Sequence, residues 1–462
     1  MAALSLIALA RLMEGKLMQG RPEEIINSYA FDTRDISPGA LFFALKGARD
    51  GHEFISEALK KGAKGACVSR EVRGLPSEFG LILVDDTLKA MQLLAARILK
   101  NHSTKVVGIT GSLGKTSTKE FAARILSTRF NVLKSPGNYN NQIGLPISIL
   151  SLNESSEIAV LEMGMSQAGE IRRLTEIAPP DVAVITGIAP VHLEFFKSLE
   201  DIAQAKKEIL DGARPGATAI LNGDDPLLRK IGETYSKGPI IYFGSEENCR
   251  IRAVDIKFQG LNGTYFRLIY DQEEAEIKVP FFNESLVYNF LAACAVAFSF
   301  DLKLKEIQPA FSDLPTIEHR GQLLKLKDEI FIYDDSYNSN PVALNRVLES
   351  LGQIKAARKI AVLGDMLELG PQESYFHREA GKKVVQTGWD LIITVGLRAR
   401  EIAAGALDNG LSKAKIWSFL QTDEAADFII SLIQPGDFVL IKGSHALTLS
   451  RIVEFLKKEL EA

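Results

Sequence analysis

Cysteine, histidine and tryptophan are scarce: 462 residues hold 3, 6 and 2 of them. Cys67, Cys249 and Cys294 are scattered without metal-ligand spacing, and two lie in apolar surroundings. That excludes a disulfide framework and a cysteine-built zinc site, and it reads as buried thiols of a reducing compartment. No apolar run approaches the ~20 residues that span a bilayer, so no membrane insertion is expected. Neither charge sign dominates: Lys+Arg number 54 against 58 Asp+Glu, a formal net charge of −4. The balance argues against a general nucleic-acid or membrane-surface binder. The opening MAALSLIALARLMEG has neither a basic segment before its apolar stretch nor a small-residue cleavage site. It reads as a first amphipathic helix rather than a signal peptide, and a cytoplasmic protein is expected. No long heptad or exposed apolar stripe marks an interface, so a monomer is expected.

What is present is organised around Val106-Val107-Gly108-Ile109-Thr110-Gly111-Ser112-Leu113-Gly114-Lys115-Thr116-Ser117. An apolar run of strand type feeds a glycine turn, and an amphipathic helical pattern follows from about Thr116 to Thr128. Strand, glycine turn and helix form a phosphate cradle, because glycines let backbone N–H groups approach the oxygens and the helix N-terminus favours negative charge. Lys115 would reach the outer phosphates, and the Thr116 hydroxyl would sit on Mg²⁺. The strict pattern wants glycine at position 109, where this chain has Ile, so the loop is tighter.

The length suggests about three domains. Residues 1–102 carry strand-like runs at Ala40–Leu45, Gly65–Ser69 and Gly80–Val84, with helical patterns at Phe54–Lys61 and Thr87–Lys100. Residues 103–318 open with the glycine turn. Strands at Ile158–Glu162, Val182–Ile188 and Ala217–Leu221 alternate there with helices at Gln167–Ile177 and Leu199–Leu210. The alternation predicts a parallel sheet covered on both faces. Between Arg250 and Pro280 the period drops to two, which predicts a small antiparallel insert. Residues 319–462 place strands at Ile330–Tyr333, Lys359–Leu363, Leu391–Val395 and Phe438–Ile441, alternating with four helices, as a Rossmann-like unit.

Ligands sit at strand ends in such sheets. Glu162, just off the strand Ile158–Leu161, can complete a magnesium shell with Thr116, since hard cations take oxygen ligands; a solvated carboxylate is the plainer reading. His192 lies in a loop, where a lone histidine is more often structural, although neutral imidazole can fill one position of an oxygen-built shell. Lys206 borders the apolar stripe of its helix; a snorkelling lysine is the ordinary reading, carboxylation by CO₂ to an anionic metal ligand the sharper one. Asn138, Asn140 and Asn141 either form an ordinary turn or read substrate carboxylates and phosphates. In the third unit, Asp335 through Pro341 and Gly364 through Gly370 leave two strands, and Asn340 or Ser339 is a good N-cap for the helix after them. Closure of this unit over the phosphate loop would assemble a water-excluding site.

Together these stretches resemble the Mur ligases, the ATP-dependent amide-forming enzymes of peptidoglycan synthesis. The resemblance rests on the shortened loop from Thr110 to Thr116, Asn138-Tyr139-Asn140-Asn141 with Gly144 and Pro146, Asp335 through Pro341, and Gly364 through Gly370. In the first unit, Asp32-Thr33-Arg34, Pro38 through Gly47, and Asp50-Gly51-His52 are similar to the family's UDP-binding domain. It implies ATP bound by Thr110, Gly111, Ser112, Gly114, Lys115, Thr116 and Ser117. It further implies one Mg²⁺ on Thr116 and Glu162, a second on His192, and a carbamylated Lys206. Asn289 would contact adenine, Arg320 would meet the nucleotide, and Asp335 and Tyr337 would close over ribose and phosphate. Thr33, Arg34 and Lys46 would bind the UDP end of the substrate. Asn138, Asn140 and Asn141 would bind substrate, and Asn338 and Asn340 the nucleotide or incoming dipeptide. The substrates implied are UDP-N-acetylmuramoyl-tripeptide and D-alanyl-D-alanine.

Two departures stand out. Asn283-Glu284-Ser285-Leu286 replaces the family's usual Gly-x-His-Asn, and His319-Arg320 replaces its Gly-Arg pair. The chain lacks Asp-Asn-Pro-Arg, against the step that adds the third residue. A folylpolyglutamate-synthase-type ligase would share the loop and the carbamylated-lysine pattern but not the third-unit stretches. A non-enzymatic nucleotide switch would have no use for Glu162, His192 and Lys206.

Overall fold

Strand Lys105–Thr110 sits inside a nine-stranded sheet, with Ile158–Glu162 on one side and Val182–Ile185 on the other, all parallel. The computed structural model describes residues 3–191, 193–280 and 282–460. Val132–Lys134 extends the sheet beyond Ile158–Glu162; Thr218–Asn222 and Ile240–Gly244 extend the other side in parallel. The chain leaves Lys105–Thr110 at the point where strand order reverses. Such a reversal splays the connecting loops apart and opens a crevice. The three strands nearest this point are buried nearly throughout, as a sheet covered on both faces requires.

The period-two segment forms the expected antiparallel strands, and they join the edge of the main sheet. Strand Ile251–Phe258 pairs in parallel with Ile240–Gly244, and Thr264–Tyr270 and Glu273–Val279 add antiparallel to the same sheet. Alternation records the half-exposed pleat of these strands but not the neighbour they pair with. The strand expected over Val182–Ile188 ends at Ile185. Beyond it Gly187 O accepts from Ser112 N, and the Thr186 hydroxyl donates to Leu113 O, so the chain turns from the sheet to brace the phosphate loop.

Helices Lys115–Leu126 and Glu284–Ser299 pack against each other over one face of this sheet. Among the described residues no single helix is long and apolar enough to cross a membrane, and the apolar Glu284–Ser299 is core. The other face shares one continuous core with the first unit through helix Thr87–Lys100. That unit carries a five-stranded sheet, in which Ala40–Phe43, Gly65–Val68 and Gly80–Leu83 lie parallel. Leu6–Leu12 forms the expected first helix, capped by Ser5.

The third sheet has six strands in the order Gln322–Lys325, Phe331–Asp335, Asp437–Lys442, Arg358–Gly364, Leu391–Val395 and Ile416–Phe419. Its two edge strands escaped the sequence reading because both are short and only half buried, so neither carries a clean alternation or a long apolar run. Among the described residues five α-helices rather than four flank it; the fifth, Ser450–Leu460, follows the last strand.

Candidate functional site

The phosphate loop takes the shape its glycines allow. Gly114 has φ +78° and leads directly into helix Lys115–Leu126, one residue earlier than the pattern implied. A Cβ at Gly114 would lie 2.0 Å from Asn289 Oδ1, so only glycine lets the Asn289 amide rest on the loop. Ser112 closes the loop from the other side: its Oγ donates to Ala189 O and accepts from Ala189 N. Lys115 Nζ donates to Gly111 O at 2.9 Å. Burial holds its ammonium below the usual lysine range, opposed by the Glu162 carboxylate and reinforced by Arg320.

Glu162 is 1% exposed, and both its oxygens are engaged. Thr116 Oγ1 donates to Oε2 at 2.8 Å and Asn140 Nδ2 donates to Oε1 at 2.8 Å, while Glu162 N donates to Ser135 Oγ. Strand register explains the meeting: Glu162 lies beside Ile109, at the same level as the loop's start. Two adjacent buried oxygen donors fit a hard divalent cation. Among the described residues no three His, Cys, Asp or Glu side chains cluster as a metal site, and His192 lies outside the described residues. Lys206 is 1% exposed on helix Leu199–Asp211, with no carboxylate paired to it among the described residues. Burial and the charge of Lys115 hold its amine well below the usual lysine range. A neutral amine is the form that attacks CO₂, so this environment fits carbamate formation.

A cleft of about 790 Å³ joins Lys115, Thr116, Glu162 and Asn140 to the third unit, and Lys206 is not among its lining residues. Arg320 stacks over Tyr337 at 4.0 Å, and both line it together with Asp335, Asn338 and Asn340. Asn340 is the N-cap of helix Pro341–Gly352, its Oδ1 accepting from Ala343 N. His319 sits at φ +60°, a conformation glycine adopts freely, and is pinned by a 2.7 Å contact between Nδ1 and Asp334 Oδ2. The side-chain hydrogen bond thus compensates the backbone cost of the departure seen in the sequence and sets Arg320 beside it. Asn283, the other departure, caps helix Glu284–Ser299 and donates Nδ2 to Tyr333 Oη at 2.7 Å, tying the second unit to the third.

The sequence reading missed Lys442. It lies directly across from Asp335 in the sheet, its Nζ donating to Asp335 Oδ2 at 2.6 Å and to Asn338 O at 2.9 Å. Burial raises the Asp335 carboxyl, with Lys442 and Arg320 pulling it back. The strand-end rule that singled out Asp335 applies equally to Lys442-Gly443-Ser444-His445 and could have found it. Ser339 Oγ, buried beside the cleft, and Thr110 Oγ1, under the loop, lack a hydrogen-bond partner among the described residues.

The UDP-end candidates lie apart from this cleft. Thr33 Oγ1 donates to Glu57, Arg34 is pinned by Asp32 yet 84% exposed in its side chain, and Lys46 stands in an exposed turn. The asparagine loop bridges the distance: Tyr139 packs against Phe31 at 6.2 Å, and Asn141 Oδ1 accepts from Gly144 N. A second cavity of about 490 Å³ adjoins the phosphate loop beside Asn289, lined by Asn222, Asp224 and Tyr288.

Fold and site define the class: an enzyme that holds nucleotide phosphates on a glycine loop and builds its reaction cleft between α/β units. Comparison with known proteins narrows it. A family model described as the Mur ligase middle domain matches residues 109–297. Models described as the Mur ligase glutamate ligase domain and the Mur ligase family catalytic domain match 319–445 and 26–97. The chain is similar to the UDP-N-acetylmuramoyl-tripeptide–D-alanyl-D-alanine ligase of Bacillus subtilis, 35% identical with 97% of each chain covered. Its fold is similar to MurF from Acinetobacter baumannii, with TM-score 0.88, 29% identity and 99% of each chain covered. It is also similar to MurF ligase from Thermotoga maritima in complex with ADP, with TM-score 0.82, 32% identity, and 94% of this chain and 98% of that one covered. The chain belongs to the Mur ligase family.

Proposed function

We propose that this chain is an ATP-dependent ligase that joins D-alanyl-D-alanine to UDP-N-acetylmuramoyl-tripeptide in peptidoglycan precursor synthesis, releasing ADP and phosphate. The observation that carries the reading is the convergence of the phosphate loop, the Thr116–Glu162 pair and the polar strand ends of the third unit on one cleft. End-to-end similarity to ligases of that name supports the substrates.

An oxygen of the tripeptide's terminal carboxylate attacks the γ-phosphorus of ATP, the bond to the β-phosphate oxygen breaks, and ADP leaves. The amine of D-alanyl-D-alanine then attacks the acyl carbon, loses a proton, and expels phosphate as the amide forms. Little covalent chemistry falls to the protein, so positioning and charge stabilisation dominate. The loop N–H groups and Lys115 hold the phosphates. Thr116 and Glu162 would hold Mg²⁺, which supplies neutralisation of the phosphoryl charge. His192 and a carbamylated Lys206 would hold a second. Asn289 and Arg320 bind the nucleotide, Asp335 and Tyr337 its ribose and phosphate side, and Asn338 and Asn340 the nucleotide or dipeptide. Thr33, Arg34 and Lys46 take the UDP end, and Asn138, Asn140 and Asn141 the peptide. Closing the third unit excludes water, which would otherwise hydrolyse the acyl phosphate. We divide the chain into a precursor-binding unit 1–102, an ATP-binding unit 103–318 and a closing unit 319–462, working as a cytoplasmic monomer. Tripeptide labelled with ¹⁸O in its terminal carboxylate tests the route: one label reaches the released phosphate, and its absence there removes the acyl phosphate.

A further inference from the structure

Helix Lys115–Leu126 carries a second lysine, Lys119, one turn beyond the phosphate-binding one. Its side chain is wholly buried. Burying an ammonium is costly unless every donor is satisfied. Here Nζ donates to Ser135 O at 2.7 Å and Gly137 O at 2.7 Å, and lies 3.1 Å from Glu120 Oε1. Three donors meet three acceptors. An aliphatic side chain could fill the space but would leave the Ser135 and Gly137 carbonyls without this donor, so the ammonium is what fixes the loop to the helix.

The segment it grips is the start of the asparagine loop, which is bonded to the strand end that carries Glu162. Ser135 Oγ accepts from Glu162 N, Asn140 O from Gly164 N, and Asn140 Nδ2 donates to the Glu162 carboxylate. At its far end Gln142 O accepts from Gln92 Nε2 of the first unit at 2.9 Å, and Tyr139 packs on Phe31. One short loop therefore connects the precursor-binding unit, the phosphate helix and the carboxylate paired with Thr116. Lys119 is its attachment to that helix.

We propose that Lys119 is a positioning residue that couples precursor binding to the nucleotide site: through it, ordering of the asparagine loop by the muramoyl peptide orients Glu162 relative to Lys115 and Thr116. The inference rests on the ligase reading above. Coupling between sites is reciprocal, so each ligand tightens the other by one shared factor, about 5- to 150-fold for typical couplings.

The test measures binding of a non-hydrolysable ATP analogue with and without UDP-N-acetylmuramoyl-tripeptide, alongside kcat and both KM values, in wild type, Lys119→Met and Lys119→Arg. Lys119→Met is expected to bind each ligand alone within about threefold of wild type while the shared factor collapses to about one and kcat falls at least about tenfold. Lys119→Arg, which can donate to the same carbonyls, should recover part of the factor. A general loss of structure would weaken both separate affinities instead, and that result overturns the proposal, as does an unchanged factor in Lys119→Met or the absence of coupling in wild type. If Lys119→Met does not fold, Lys119→Gln is measured in the same way and must show a reduced factor. Wild-type enzyme that fails to ligate the dipeptide sinks the ligase reading instead, so the two failures are separable.

Discussion

Removing the Asn140 amide would strip one oxygen of a buried carboxylate of its partner while leaving the other untouched. Glu162 is 1% exposed and receives Asn140 Nδ2 on Oε1 and Thr116 Oγ1 on Oε2, each at 2.8 Å. A hydrogen bond to a charged group contributes about 1.5–3 kcal/mol. If that energy orients Glu162 for the phosphoryl step, Asn140→Ala should lower kcat/KM by about 10- to 150-fold, since each 1.36 kcal/mol is a factor of ten. Stability should fall by a comparable 1.5–3 kcal/mol, roughly, because the vacated site is buried. Asn140→Asp sharpens the test. It places a second carboxylate against Glu162, and like charges that close raise one of the two pKa values. Repulsion between the two carboxylates in place of a hydrogen bond should leave this variant less active than Asn140→Ala at neutral pH. Steady-state phosphate release across a pH series, with thermal denaturation of each variant, measures both effects. An Asn140→Ala enzyme within about twofold of wild type, or an Asp variant more active than the Ala variant, refutes the reasoning.

Two further substitutions probe the loop and the buried lysine. Gly114→Ala imposes a Cβ at φ +78° and 2.0 Å from Asn289 Oδ1; it should cost about 1–2 kcal/mol in backbone strain and raise the KM for ATP at least about tenfold as Asn289 is displaced. Gly216→Ala, at φ +84° with nothing within 4 Å of its Cβ, is the control; it should share the strain but keep KM within about twofold, and equal KM changes in the two would discount the Asn289 contact. Lys206→Ala should abolish ligation, with partial recovery in the presence of a small carboxylic acid, and full activity in that variant removes the carbamate role. Burial and Lys115 lower the Lys206 pKa, so the reactive neutral amine persists below the usual lysine range. As pH falls through that lowered value the amine takes a proton and bicarbonate stimulation of depleted enzyme should disappear; stimulation that persists into acid contradicts the assignment.

The phosphate loop was legible because its signals are local: an apolar strand, glycines at the turn and a helix beginning at Lys115. Glu162 was legible for a related reason, as the carboxylate just off a neighbouring apolar strand. What adjacency in the chain does not encode was lost. The Asn140–Glu162 bond joins residues 22 apart and the Lys442–Asp335 pair residues 107 apart, and both depend on which strands become neighbours. The small antiparallel insert beyond Ile240–Gly244 was legible from its two-residue period, but the parallel pairing that joins it to the main sheet was not, because the period gives the pleat and not the partner. Lys119 was not singled out in the sequence, because only the folded loop supplies the carbonyls that make it distinct.

The most direct test of the ligase assignment is ATP-dependent phosphate release with UDP-N-acetylmuramoyl-tripeptide, with and without D-alanyl-D-alanine, the product being weighed in parallel. Release that requires both substrates, with a product heavier by the dipeptide residue mass, is the predicted result. Release that needs another amine would keep the family and move the step, and release that needs neither substrate would contradict the assignment and leave only an ATPase.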